Sequence, residues 1–452
     1  MRRIGNEQGK HGRQPVPRRG FGPRIWLQVR SERVDEIPHR AIVRAEIRSA
    51  TSLVASSPMT ANTRADAAAD AVDPGEVIAF ARALIAAPSE NPGGTEDAAA
   101  AVAVEVLAGL DAAPEIVRSP DGRPSVVGSI GSSDGPSLAW NGHLDTVPVG
   151  SLDTWSVDPF GGEIVEGRLI GRGACDMKGP IAAALAAAAG LMRAAIPLGG
   201  RLAFHLAADE ELAGIHGTKI LWERGLLRQD AAIVGEPSDL QLGLAERGGA
   251  WITATAHGTA AHGSQPHLGV NAITSMARYL LRLHEVVPDR EHPLCGRPTV
   301  NAAMIEGGSA PNVVPDRCAV DIDRRLIPGE TDRDAVLAPF LALAAQLREE
   351  HPEVDIRPEI REWTDAAEAP ADSAIADTIR TAAASVRGAT PADVGFTGIT
   401  DARFYINDAA IPAAIFGPGS LSVAHTADEW IAVEDLVDAA RIYARIFAGF
   451  LG

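Results

Sequence analysis

The chain has 452 residues, 46% of them hydrophobic and 22% charged, and a formal net charge of -18. That length exceeds what one hydrophobic core organises, so two domains are expected, and the composition excludes global disorder. The acidic balance argues against nucleic acid as a partner, and no apolar run reaches the roughly 18 residues of a membrane span.

Residues 1–72 differ from the rest, with 13 Lys+Arg against 7 Asp+Glu and no helical period. The Arg18-Arg19 pair lacks the apolar segment that follows it in a twin-arginine signal, and a basic start also suits an organelle transit peptide. The preferred reading is a flexible basic extension without a catalytic role, with Met59 a candidate for the true start. Folding signals begin at Asp73-Pro74, an N-cap followed by proline at the first helical position. A helix to about residue 87 and another over 95–110 lead into short strands at 114–118, 125–130 and 137–142. A hairpin over 162–170, an Ala-rich helix over 178–194, a strand at 201–207, a helix at 214–224 and a strand at 231–234 follow. Strands alternating with helices predict an α/β layered fold with a largely parallel sheet.

The pattern changes near Gly248. A strand at 250–256, a helix over 270–285, strands at 298–306 and 317–325, a helix over 332–348 and a strand at 353–362 give β-α-β-β-α-β, the order of a ferredoxin-like sandwich. The α/β pattern resumes from about 373. The division expected is therefore a discontinuous domain, 73–247 with 364–452, and an inserted domain, 248–363. The three cysteines, Cys175, Cys295 and Cys318, have no regular spacing, which predicts reduced thiols and a cytoplasmic protein.

Five candidate metal ligands stand where strands run into loops: His143 in NGHLDTVP, Asp176 in GRGACDMKGP, Glu211 in AADEELAG, Glu236 in VGEPSD and His425 in AHTADEW. On a strand end, Asp145 points the same way as His143, so its carboxylate could fix the imidazole tautomer. The plainer alternative is a solvated strand-end turn. Asp176, flanked by Gly171, Gly173 and Gly179, could reach inward and bridge two cations, or could simply cap the following helix. GRGACD lacks the third glycine of a dinucleotide loop, and no phosphate-loop pattern occurs. Of the adjacent Glu210 and Glu211, opposed on a strand, one could bind metal and the other take a proton from water. The pair could also be an acidic first turn of a helix. Taken together the five balance: two divalent cations are offset by three carboxylates and one bridging hydroxide. Ligands without cysteine suit a catalytic zinc site, or Co2+ or Mn2+ in its place.

These motifs, in this order from about residue 74 onward, resemble the two-zinc amidohydrolase and peptidase family of acetylornithine deacetylase, succinyl-diaminopimelate desuccinylase, aminoacylase and glutamate carboxypeptidase. The resemblance implies a zinc-peptidase-like mixed sheet flanked by helices, with the inserted α+β domain serving as lid and dimerisation surface. It implies two Zn2+ per subunit, His143 and Glu236 on one, Glu211 and His425 on the other, and Asp176 bridging. Asp145 would orient His143, and Glu210 would be general base and then proton donor to a water activated by the metals. A cis peptide at Asp176–Met177 is expected. GTAAHGSQPHLGVNAI resembles the family's lid motif, in which His262 would stabilise the oxyanion, often from the partner subunit of a homodimer. Asn312 and Arg325 fit positions that bind a substrate carboxylate. Thr400 in GITDARF, where the family often has Ser, and Gly417 in FGPGS fall in stretches that line the substrate pocket.

The expected reaction is hydrolysis of an amide in an N-acyl amino acid, with a dipeptidase or carboxypeptidase on the same site as the alternative. Expected partners are a small-molecule substrate and a second copy of the chain, with no nucleic acid and no membrane. A different class, an inactive binding or scaffold homologue, is disfavoured by the intact ligand set with Glu210.

Overall fold

The computed structural model describes residues 60–452; expectations about residues 1–59, including Arg18-Arg19 and Met59, lie outside the described residues. The large sheet has the strand order Glu115–Arg118, Pro124–Gly131, Arg201–Ala207, Ser137–His143, Ala231–Val234, Ala413–Ile415, Leu242–Glu246, Ala367–Glu368, and Asp393–Phe396 also pairs with Leu242–Glu246. The four strands Arg201–Ala207, Ser137–His143, Ala231–Val234 and Ala413–Ile415 run parallel. Antiparallel pairing begins outside them, so the sheet is mixed.

Alternate residues of these strands enter different cores, as a period of two demands. Leu138, Trp140 and Ile233 pack with the helices Pro74–Ile85, Lys178–Arg193 and Val433–Phe450. Ala139, Ala232 and Val234 face the other way, onto Leu221, Phe404 and Tyr405. The helix Lys178–Arg193 is buried almost all round, because its alanines let neighbouring backbones approach from every side. Asp73 caps Pro74–Ile85 by accepting from the Gly75 N–H at 2.8 Å.

The second sheet has the order Thr299–Gly307, Arg317–Leu326, Gly248–His257, Asp355–Thr364, all antiparallel. The helices Ala272–Leu281 and Arg333–Glu350 supply Met276, Tyr279, Phe340 and Leu343 to its own core, over Ile252, Ala254, Val320 and Ile322. This is the ferredoxin-like arrangement that the sequence predicts.

Three expectations need correction. Residues within the supposed flexible extension form a helix, Ala61–Asp70, capped by Thr60. Ala65, Ala68 and Val72 are buried in the large core, and the Ala68 carbonyl lies against Gly190, where a Cβ would come within 3.2 Å. Its small side chains give no apolar period, yet they are what lets it sit close. The helix expected over 214–224 is shorter, Thr218–Glu223, because Ala213 and Gly214 take positive φ of 79° and 63°. The strand Leu242–Glu246 went unanticipated, since LGLAE carries no β-branched residue. No helix among the described residues is long and apolar enough to cross a membrane.

Candidate active site

The parallel strands bring the scattered motifs together. His143 ends Ser137–His143, the Asp209-Glu210-Glu211 turn follows Arg201–Ala207, and Glu236 follows Ala231–Val234. Ala413–Ile415, parallel to the last of these, leads into the loop that carries His425. Parallel neighbours end at one edge of the sheet, where open α/β sheets place their sites. Asp176 reaches the same place from the turn before Lys178–Arg193, through the expected cis peptide to Met177.

At that edge, His143 Nε2 lies 2.9 Å from Asp176 Oδ1, 3.8 Å from Glu236 Oε1 and 3.9 Å from Glu210 Oε2. His425 Nε2 lies 3.1 Å from Glu211 Oε2 and 3.4 Å from Asp176 Oδ2. Asp176 thus stands between the two imidazoles, one oxygen to each. His143, Asp176 and Glu236 are buried; His425 is about half exposed at 52%, which leaves the cluster open on that side.

The charges are unbalanced. Burial first, and then the Glu236 charge, pushes the Glu210 carboxyl well up. Burial, followed by Asp176, pushes Glu236 well up and raises Glu211. Burial opposes ionisation of Asp176 too, but hydrogen bonds from His143 and His425 hold it below the usual range. Hydrogen bonds to Asp176 and Glu211 push His425 up to about 10. Glu236 Oε1 is buried without a hydrogen-bond partner. Four carboxylates with two imidazoles make a donor set whose charge a cation would offset. Donor atoms of His143, Asp176 and Glu211, and of His143, Glu210 and Glu236, lie within 4.8 Å of one another in each trio. Oxygen and imidazole donors at this density fit divalent metal.

Glu210 and Glu211 are not opposed on a strand; they occupy a single turn, Glu210–Leu212, entered through Asp209 at φ 65°. Asp145 holds that turn. Its Oδ1 accepts from the Glu210 N–H at 3.1 Å, and its Oδ2 from the Glu211 N–H at 3.2 Å and from Asn91 Nδ2 at 2.8 Å. His143 Nδ1 is 2.9 Å from the Asp145 carbonyl oxygen and 3.6 Å from its carboxylate. The orienting acceptor is therefore the main chain, because the carboxylate is already used by three N–H donors. Sequence reasoning missed the next layer. Arg123 Nη1 donates to Asp209 Oδ1 at 2.7 Å, Arg123 also pairs with buried Glu96, and Asn91 joins Asp145 to Asp209. A lone arginine in a turn gives no signal in one sequence.

The remaining predicted residues lie apart. His262, Asn312 and Arg325 belong to the second sheet and its loops, and none makes a hydrogen bond or ion pair with the cluster among the described residues. His262 Nδ1 accepts from the Ser264 N–H at 3.1 Å, the Asn312 carbonyl accepts from the Gly263 N–H, and Arg325 pairs with Asp323 at 3.0 Å. Thr400 is fully buried, with its N–H and hydroxyl both donated to Glu246 at 2.9 and 2.5 Å. Through these bonds it ties the loop to Glu246. Gly417 packs on the backbone before Glu236, where a Cβ would meet the Gly235 carbonyl at 2.3 Å. The backbones approach too closely there to admit a side chain.

Residues 139–448 match the family model described as peptidase family M20/M25/M40. The chain is 34% identical over 393 residues to a succinyl-diaminopimelate desuccinylase of Rhodospirillum centenum, covering 82% of this chain and 97% of that one. It is 34% identical over 329 residues to an acetylornithine deacetylase of Myxococcus xanthus, covering 71% and 82%. Among solved structures, an aminopeptidase of Bacillus cereus aligns with a TM-score of 0.69 at 20% identity, over 84% of this chain and 100% of that one. Human carnosine dipeptidase 1 aligns at 0.67 and 17%, over 88% and 100%.

Proposed function

Because the chain belongs to the peptidase family M20/M25/M40 and is a metal-dependent hydrolase of amide bonds, we propose that its substrate is an N-acyl amino acid, cleaved to a carboxylic acid and an amine. The observation that carries this choice is the likeness, at 34% identity over most of both chains, to a desuccinylase and a deacetylase. His143, Asp176 and Glu236 would hold one divalent ion, and Asp176, Glu211 and His425 the other, with zinc the first choice and Co2+ or Mn2+ as substitutes. The metal pair would lower the pKa of a shared water and polarise the scissile carbonyl.

Glu210 is the general base. Its carboxylate sits beside His143 and Glu236, its backbone is fixed by Asp145, and burial has raised its proton affinity. It takes a proton from the attacking water and returns it to the leaving nitrogen, so water is added across the C–N bond. His262 stabilises the oxyanion: with Nδ1 accepting from Ser264, the neutral ring carries its proton on Nε2 and can donate it. Arg325 anchors the substrate carboxylate on releasing Asp323, and Asn312, in the loop beside His262, is a second carboxylate contact. The second sheet, 248–363, serves as lid and as the surface of a homodimer, a role suited to its exposed edge strand Thr299–Gly307. Three buried cysteines, none in a disulfide, suit the reducing cytoplasm.

The second reading, a dipeptidase or carboxypeptidase on the same site, draws on the peptidase and dipeptidase folds it resembles. A panel of N-acetyl and N-succinyl amino acids beside dipeptides separates the two. Turnover of dipeptides alone would reverse the order, and inertness of the metal-loaded protein towards the whole panel would make it a binding homologue.

A further inference from the structure

Glu429 has no part in the mechanism above, yet it is fully buried beside the cluster. Its Oε1 accepts from two successive backbone N–H groups, Cys175 at 2.9 Å and Asp176 at 3.0 Å. Its Oε2 accepts from Arg172 Nη1 at 2.6 Å, and the Arg172 guanidinium lies over the Trp155 ring, 5.2 Å from its centroid. The short pairing of Trp430–Ala432 with Arg168–Ile170 sets this up, because Glu429 then falls opposite Gly171, whose N–H its carbonyl accepts at 2.9 Å. One residue therefore grips the turn that carries Asp176 while standing four positions after His425. The His425 turn needs a grip. His425 and Asp428 both take left-handed backbone, with φ of 63° and 53°, a conformation that non-glycine residues hold only when their surroundings impose it. Asp428 is tied down as well, accepting from the Ser156 N–H at 2.7 Å.

We propose that Glu429 is a positioning residue that locks the Asp176 turn to the His425 loop and so sets the affinity of the site for the divalent ion these two residues share. The inference rests on the two-metal reading given above. A carboxylate that fixes a ligand from behind commonly governs metal affinity by about 10- to 100-fold.

The test titrates metal-free wild type, Glu429→Ala and Glu429→Gln with Zn2+ against a chromophoric chelator. It also records the visible spectrum of each Co2+ form and the melting of each apoprotein. Wild type is expected to bind two ions. Glu429→Ala should bind one of them about 10- to 100-fold more weakly, with an altered Co2+ spectrum. Glu429→Gln keeps an oxygen for the two N–H groups and should fall between. If the alanine variant does not fold, the glutamine variant decides by the same measurements. Wild-type affinity for both ions and an unchanged Co2+ spectrum in a folded variant overturn the proposal, whatever happens to the melting temperature. A wild type that binds no divalent ion overturns the two-metal reading and this inference with it; loss confined to the variants supports both.

Discussion

Glu210 and Glu211 are neighbours on one turn with different surroundings. Glu211 Oε1 accepts from the Val147 N–H at 3.2 Å while its Oε2 faces His425. Among the described residues the Glu210 carboxylate accepts no hydrogen bond, and it faces His143 and Glu236 across the cluster. A group free to carry a proton and one held as a ligand respond differently to the same isosteric change. Glu210→Gln is expected to lower kcat by about 10^2- to 10^4-fold while the ion content, read by elemental analysis, stays at the wild-type value; near-normal turnover would remove it as the base. Glu211→Gln is expected to lose affinity for one ion first, and a full complement at wild-type affinity would contradict its place as a ligand. Asp145 links these effects, since it caps both backbone N–H groups and its carbonyl orients His143. Asp145→Ala should lower kcat and metal affinity together, by about 10- to 100-fold each. A fall in only one of them would mean that Asp145 serves only one of its two neighbours.

At the scale of elements, the two chain crossings between the sheets meet at Glu246. It ends the strand Leu242–Glu246, pairs with Ala367 and precedes the first strand of the second sheet. It is wholly buried and holds the 399–403 loop through Thr400. Burial, opposed by the Arg403 charge, raises its pKa from 4.5 to about 7. The folded chain therefore keeps this proton up to about pH 7, whereas the unfolded chain releases it near 4.5. Between those values the folded state binds more protons, so this group makes stability fall as pH rises through the window, and the penalty is constant above it. Glu246→Gln removes the term while leaving an oxygen for Thr400. Urea unfolding should show the variant gaining on wild type by the order of 2 kcal/mol between pH 5 and pH 8; an offset independent of pH would refute the account. Nothing in LGLAERGG signals this role. The order of helices and strands was legible because hydrophobic period is local, and four of the five candidate ligands stood out because their motifs adjoin glycine or proline turns. The partners of Glu246, Glu429 and Arg123 were not, since each is paired by topology with a segment distant in sequence. The burial of Thr400 and Gly417 was not legible for the same reason: short motifs mark where the chain bends but not which side of the bend faces inward.

The large core of the described residues is covered by their first and last helices. The helix Ala61–Asp70 packs on Lys178–Arg193 and on the C-terminal helix Val433–Phe450, and Arg193 donates to the Ala71 carbonyl. A chain beginning at residue 73 would expose the apolar surface that Ala65, Ala68 and Val72 cover. It should melt below a chain beginning at residue 59, and equal melting would make the helix dispensable.

Metal acts on the same scale, because the candidate ligands from His143 to His425 span most of the described chain. In the metal-free protein, half-buried Glu210 and Glu211 and buried Glu236 face one another with too little positive charge, and each is pushed towards its protonated form. A divalent ion that binds only the folded arrangement adds stability in proportion to the logarithm of its concentration over Kd, about 2.7 kcal/mol at a hundredfold excess and about 4 at a thousandfold. Calorimetry of protein stripped with a chelator and then titrated with Zn2+ should show the melting temperature rising by several degrees and continuing to rise with free metal. An ion that also binds the unfolded chain would let the shift level off, and a melting temperature indifferent to metal would place the cluster outside the folding equilibrium and remove the cation from its charge balance.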